Sequence, residues 1–205
     1  MNSQATLLSS LQLNYLTNNL TIWYYPEQKW LISDPSIINS LVHCGSSHPK
    51  PRVQLLKSGL RRNVVRIDTR ETSLVIKSFP FTRLREKFKY KKYGLAEITN
   101  NMKARQLGIP TPRYYAYYES RQYGLVTANG CIMNFLYEYM PLEKLYKQDK
   151  QLIYMAIPVL VELFNTGVNH IDISPANIFF SDDKTDFKII DWQYCSFHTP
   201  NDPLQ

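Results

Sequence analysis

The chain has 205 residues, with 24 Lys plus Arg against 17 Asp plus Glu and a formal net charge of +7. That length suits one large domain or two small lobes sharing a cleft, with enough residues to bury a proper core. The positive balance favours an anionic partner, such as nucleic acid, a phosphorylated glycan, a nucleotide or an acidic lipid surface, and no apolar run reaches the roughly eighteen residues that span a bilayer.

The opening MNSQATLLSS lacks the basic and apolar regions of a signal peptide, so a cytosolic protein is the working expectation. Cys44, Cys131 and Cys195 are far apart and odd in number. His43 and His48 lie near Cys44, but no second cysteine completes a metal-ligand pattern, and the thiols read as reduced and structural. The runs LTIWYY and KWLIS around a Pro-containing turn predict a hairpin over residues 20–33. A polar, Pro-bearing stretch, 45–52, follows. VQLLKS, VVRIDT and SLVIKSF, separated by turn residues, then predict a three-stranded meander ending at Phe79.

Residues 80–92 interleave aromatics with six basic side chains from Arg83 to Lys92. They precede GLAEITNNMKARQLG, where Leu95, Ile98 and Met102 recur at helical spacing and Gly108 with IPTP gives a stop signal. This helix is expected to pack on the sheet. RYYAYY and CIMNFLYEYM read as strands, and a lobe boundary is expected near residue 141. QLIYMAIPVLVELFNTG is apolar nearly all round, as for a helix buried in the second lobe, with Pro158 starting or kinking it. NIFFS and DFKIID close the pattern as two short strands around an Asp-rich turn.

The chemistry sits in NHIDISPANIFFSDDKTDFKIIDWQ, which carries His170, Asp172, Asn177 and Asp191 in fixed order. The pattern H-x-D-x-x-x-x-N, then a hairpin and an Asp, resembles the catalytic and metal loops of protein-kinase-like enzymes. Phosphoryl transfer needs a carboxylate to position the attacking hydroxyl and oxygen ligands to hold magnesium on the phosphates. Asp172 suits the first role, and Asn177 and Asp191 suit the second. Each alone reads as a turn or cap residue; the ordered set is what points to catalysis. Upstream, strand alternation puts Lys77 on the face of Val75 and Phe79, where a buried ammonium needs a partner. Alone it would read as a snorkelling surface lysine, but Glu97 falls where kinases carry the ion-pairing glutamate of their N-lobe helix. Glu138, Tyr139 and Met140 fall where a hinge backbone contacts adenine.

These segments together, over roughly residues 20–195, resemble the lipopolysaccharide kinases, the Kdo and heptose kinases of Gram-negative bacteria, and most of all the core heptose kinases. HIDISPAN, Lys77 and Asp191 mark only the kinase-like superfamily; the basic stretch and GIPTP point to the lipopolysaccharide branch. The resemblance implies an α+β, two-lobed kinase-like fold, with an antiparallel-sheet N-lobe over about 20–140 and a truncated helical C-lobe over about 141–205. It implies ATP and magnesium as cofactors, a core heptose as acceptor and the cytoplasmic face of the inner membrane as location.

Several features depart from the kinase pattern. The phosphate loop SGLRRN has only Gly59, so Arg61 or Arg62 is expected to replace part of the backbone cradle. Ser174 stands where protein kinases carry a lysine. Trp192 and Gln193 replace the usual phenylalanine and glycine after the metal-binding Asp. Fourteen residues follow Asp191 (205 − 191), which leaves out an activation segment and argues against a regulated protein kinase. Two other readings stay open: a minimal effector-type kinase, secreted and acting on Ser, Thr or Tyr of a protein, and a pseudokinase that binds a partner. Residues 80–92 read either as a solvated loop or as a contact for anionic headgroups with Phe81, Phe88 and Tyr90 at the interface. No nucleic-acid signature accompanies the charge.

Overall fold

The computed structural model describes residues 10–42, 53–70 and 72–198. Cys44, His43, His48 and the polar stretch 45–52 lie outside the described residues. Two compact units emerge: Met1–Thr99 with Arg113–Phe135, and Asn100–Pro112 with Leu136–Gln205. The division near residue 135 falls a little before the expected boundary at 141, and the insert Asn100–Pro112 groups with the later half of the chain.

The first unit is built on a seven-stranded antiparallel sheet. Its strands are β1 (Gln12–Thr17), β2 (Leu20–Tyr24), β3 (Val53–Lys57), β4 (Asn63–Asp68), β5 (Ser73–Pro80), β6 (Tyr114–Gln122) and β7 (Leu125–Asn134), in spatial order β1-β2-β6-β7-β5-β4-β3. The meander β3–β5 forms as its alternating pattern predicts. The expected hairpin over 20–33 does not. Instead β2 pairs back onto β1, and Pro26–Ile32 winds into a 3-10 turn. Pro26 pre-sets the φ of a first helical residue, and the turn drops Leu31 into the core. β1 was not singled out, although Leu13 and Tyr15 alternate with Gln12 and Asn14; the alternation is short, and both apolar side chains turn out to be exposed.

β5 is buried on both faces, which its run of apolar residues allows. One face, with Leu74 and Ile76, joins Ile22, Ile67, Tyr118 and Ile132 under α1 (Pro35–Val42), whose Ile37 and Leu41 are fully covered. On the other face Phe79 packs with Phe81 and Val126 beneath Tyr90 and Tyr93. Segment 81–93 is a short helix, α2 (Leu84–Phe88), and a 3-10 turn, Tyr90–Lys92. Helix α3 (Gly94–Gln106) follows, as the sequence predicts, burying Leu95 and Ile98. Two glycines let its start approach β7: a Cβ on Gly94 would lie 2.9 Å from the Cα of Gly130, and one on Gly130 would run into the Lys77 carbonyl and the Tyr118 ring. Gly108, at φ +83°, ends the helix as Ile109 N–H returns to Ala104 C=O at 3.0 Å.

The second unit holds a three-stranded sheet, in which β10 (Ile178–Ser181) lies between β8 (Tyr139–Pro141) and β11 (Phe187–Ile189), and a pair of β9 (Val168–His170) with β12 (Cys195–Phe197). α4 (Leu142–Gln148) and α5 (Ala156–Asn165) complete it. The run expected as one fully buried helix is split by a 3-10 turn, Lys150–Met155, and Pro158 sits in the first turn of α5, where its missing N–H costs nothing. Only one face of α5 is covered. Val159 and Leu163 enter a core with Leu142, Ile178, Phe180 and Ile189, while Ile157, Leu160, Val161 and Phe164 are exposed. No helix among the described residues is long and apolar enough to cross a membrane.

Candidate active site

In the first unit Lys77 and Glu97 meet on the face of β5 that carries Phe79. Lys77 stands between Val64 of β4 and Cys131 of β7, so its backbone is fixed from both sides. Its Nζ lies 2.6 Å from Glu97 Oε2, with both side chains buried, and 5.5 Å from the centroid of the Phe79 ring. The other carboxylate oxygen of Glu97 accepts the Tyr114 hydroxyl at 2.7 Å. Each oxygen of a buried carboxylate therefore has a donor, which is what makes such a charge tolerable out of water. Tyr114 was not singled out from the sequence. No spacing rule links the first residue of β6 to the first turn of α3, and only the tertiary fold brings them together.

Gly59 lies on the turn between β3 and β4. Its N–H donates to Asn63 Oδ1 at 3.4 Å, with Ser58 Oγ donating to the same atom at 3.1 Å. A Cβ there would meet only the Arg62 carbonyl, at 3.7 Å, so the fold does not itself demand glycine at this position.

In the second unit Asp172 and Asn177 share one loop, and Asp191 follows the hairpin. The Asn177 amide donates to the Asp172 carbonyl at 2.8 Å, and Asn177 C=O accepts from Ile190 N–H at 3.0 Å. Asn177 thus sits one step beyond the Ile178–Ile189 pair of β10 and β11, with Asp191 one residue further along. Asp191 is buried and adopts φ +66°, a left-handed conformation uncommon for a residue with a Cβ. Such strain persists only where the surroundings fix it. Here they do: His170 Nε2 is 3.1 Å from the Ile190 carbonyl, Trp192 Nε1–H donates to Ile189 C=O at 2.8 Å, and Asn100 of α3 donates to Trp192 C=O at 2.8 Å. The His170 and Trp192 rings meet edge to face at 5.0 Å.

Burial pushes His170 below the usual imidazole range, partly offset by the Ile190 carbonyl and the nearby Asp191 and Asp172 charges. Facing a carbonyl, Nε2 carries a proton and donates it to Ile190 C=O, in the peptide that leads into Asp191. Trp192, also among these contacts, is fully buried. Asn100 is a second residue that the sequence did not reveal, since it lies on a helix remote in sequence from the loop it holds.

Among the described residues no three His, Cys, Asp or Glu side chains cluster as a metal cage. One carboxylate and one amide oxygen, from Asp191 and Asn177, are nonetheless a donor set that fits magnesium, a hard cation that takes few protein oxygens and completes its shell with phosphates and water. Asp172 is exposed.

Glu138 and Met140 belong to the second unit. Glu138 C=O accepts from Asp182 N–H at 2.9 Å, and Met140 pairs with Phe180 across β8 and β10 while packing on the core beneath. Beside them the Tyr139 hydroxyl reaches Asp186 Oδ2 at 2.5 Å; its burial and that carboxylate push it up to about 12.

No family model and no curated protein matches the chain. Solved structures do. One is a chain of WaaP in complex with acyl carrier protein, aligned with a TM-score of 0.51 at 15% identity over 71% of this chain. The match covers 62% of that chain's length. The likeness is one of fold.

Proposed function

We propose that this chain is an ATP- and magnesium-dependent phosphotransferase acting on a sugar hydroxyl, with the heptose of the lipopolysaccharide inner core as acceptor. The observation that carries the reading is the buried Lys77–Glu97 pair at 2.6 Å, braced by Tyr114. A lysine held in one position on a buried strand face matches the need of a phosphate clamp, since phosphoryl transfer is catalysed mostly by positioning and charge. The motif resemblance to lipopolysaccharide kinases and the kinase-like fold support the same reading, and the motif alone supports the sugar.

The roles follow from residue chemistry. Lys77 would hold the phosphates, oriented by Glu97, with the Gly59 turn and Arg61 or Arg62 beside them. Asn177 and Asp191 would hold magnesium, which neutralises charge on the phosphates. Backbone groups of Glu138–Met140 not taken by β10 would meet adenine. Asp172 would accept the proton of the acceptor hydroxyl as its oxygen bonds to the terminal phosphorus, the bond from that phosphorus to the bridging oxygen breaks, and ADP leaves. The cytoplasmic face of the inner membrane is the location this acceptor calls for.

The test is transfer from labelled ATP with magnesium to dephosphorylated core lipopolysaccharide, with a protein mixture as competing acceptor. Label is expected on the glycan, with Asp172→Ala slowing turnover by about 10²–10⁴-fold as for loss of a general base, and Asp191→Ala abolishing it. Label on protein alone would replace the acceptor with a Ser, Thr or Tyr side chain. Nucleotide binding with no transfer to either would make the chain a binding module.

A further inference from the structure

We infer that one end of the seven-stranded sheet docks onto an anionic lipid bilayer. Register fixes which loops share that end. Asn63, the first residue of β4, pairs with Ser78 near the end of β5; Pro80 pairs with Ala128 of β7, which pairs with Ser120 of β6, and that hairpin closes through Gln122 and Leu125. The turn 58–62, the segment 81–92 and the hairpin tip at Tyr123–Gly124 therefore all leave the sheet on the same side.

Each of the three carries an apolar side chain into solvent. Leu60 is 95% exposed on the first, Leu84 and Phe88 are 60% and 70% exposed on the second, and Tyr123 is 95% exposed on the third. Leu84 and Phe88 stand four residues apart on α2 and so share a face. Tyr123 and Gly124 take φ of 51° and 78°, the two positive values of a tight hairpin turn, so the tyrosine is borne on a stiff tip.

The apolar tips are set in basic ground. Arg61 and Arg62 follow Leu60, and six Lys or Arg lie between residues 83 and 92, against a single carboxylate, Glu86, which is turned back to accept the Arg83 N–H at 3.1 Å. Segment 81–92 is also firmly mounted. Asn129 donates to the Tyr90 carbonyl at 2.8 Å, and the Phe81 and Tyr93 rings meet tilted at 4.9 Å between centroids. A mounted surface with positive charge and several separate protruding aliphatic and aromatic side chains suits a headgroup layer, where charge attracts and the tips enter the interface. Nucleic acid or an acidic protein would satisfy the charge and leave Leu60 and Leu84 unrewarded. The turn 58–62 with Arg61 and Arg62 is shared with the phosphotransfer reading; the segment 81–92 and the Tyr123 tip are not, and vesicle binding is read without nucleotide or transfer.

The experiment is co-sedimentation of the full chain with neutral phosphatidylcholine vesicles and with vesicles containing about 30% phosphatidylglycerol, at low salt and at roughly 0.15 M salt. Binding is expected only to the anionic vesicles, weaker at the higher salt. It should fall about tenfold or more in Leu60→Ser/Phe88→Ser, whose positions are exposed enough to leave the fold intact, as circular dichroism would verify. Lys89→Glu/Lys91→Glu should weaken it similarly. Equal binding to both vesicle types, or no binding, would overturn the proposal. So would binding that the charge variant abolishes and the Leu60/Phe88 variant leaves unchanged, because that is the behaviour of a surface for any polyanion.

Discussion

At the Lys77–Glu97 pair, stability and chemistry meet in one contact. Removing one partner of a buried pair leaves an uncompensated charge and costs about 3–5 kcal/mol, whereas a surface lysine lost to methionine moves stability by no more than about 0.5 kcal/mol. Lys77→Met is therefore expected to lower the urea midpoint substantially, and a midpoint within error of the parent would show that the ammonium is not buried. Tyr114→Phe is the finer probe. It deletes a single hydroxyl and leaves Glu97 Oε1 short of a donor, at a cost of about 1–3 kcal/mol. If Glu97 aims Lys77 at phosphates, the same change should raise KM for ATP; destabilisation with unchanged kinetics would make Tyr114 a packing residue only. Lys77 could be singled out by strand alternation, Asp172, Asn177 and Asp191 by their spacing in one segment, and Glu97 only by resemblance; the structure pairs Lys77 with Glu97. The sequence was silent on Tyr114 and Asn100 because their partners are chosen by the tertiary fold, and a tyrosine or asparagine carries no spacing that names a distant acceptor.

Among the elements, those with a clean period were legible. β3–β5, the β10–β11 hairpin and α3 form where alternation, helical spacing and a terminating glycine place them. β1 and the turn at Pro26–Ile32 were not, since one shows only a short alternation and the other reads equally well as a strand until packing decides. α5 misled in the other direction: two apolar faces look like full burial, and only the face with Val159 and Leu163 is covered. Glycines show the same contrast between motif and packing. Gly59 attracts attention as the phosphate-loop glycine, yet a methyl there meets only the Arg62 carbonyl, at 3.7 Å. Gly130 belongs to no motif and is where β5, β7 and the start of α3 crowd together. Gly130→Ala should thus destabilise by about 1–3 kcal/mol through overpacking, while Gly59→Ala should leave thermal stability within about 0.5 kcal/mol and act, if at all, on nucleotide KM. Equal stability losses in the two variants would contradict this assignment of their roles.

On the scale of the whole molecule, a nucleotide that binds only the folded chain must stabilise it by mass action, whatever the acceptor turns out to be. At a free concentration a hundred times its Kd the stabilisation is about 2.7 kcal/mol, which for a chain of this size corresponds to a Tm rise of roughly 5–10 °C. The proposed metal ligands are an amide and a single carboxylate, Asn177 and Asp191, so protein groups alone should hold magnesium weakly and the metal should bind together with the phosphates. Magnesium alone is accordingly expected to shift Tm little, ATP with EDTA to shift it partly, and ATP with magnesium to shift it most. Asp191→Ala should bring the last value down to that of ATP with EDTA. The order separates this site from a simple basic surface, which would bind ATP as a polyanion, lose it in salt and be indifferent to both magnesium and Asp191. A Tm rise equal with and without the metal, and unchanged in Asp191→Ala, would remove magnesium from the proposed chemistry and Asp191 from the role of holding it.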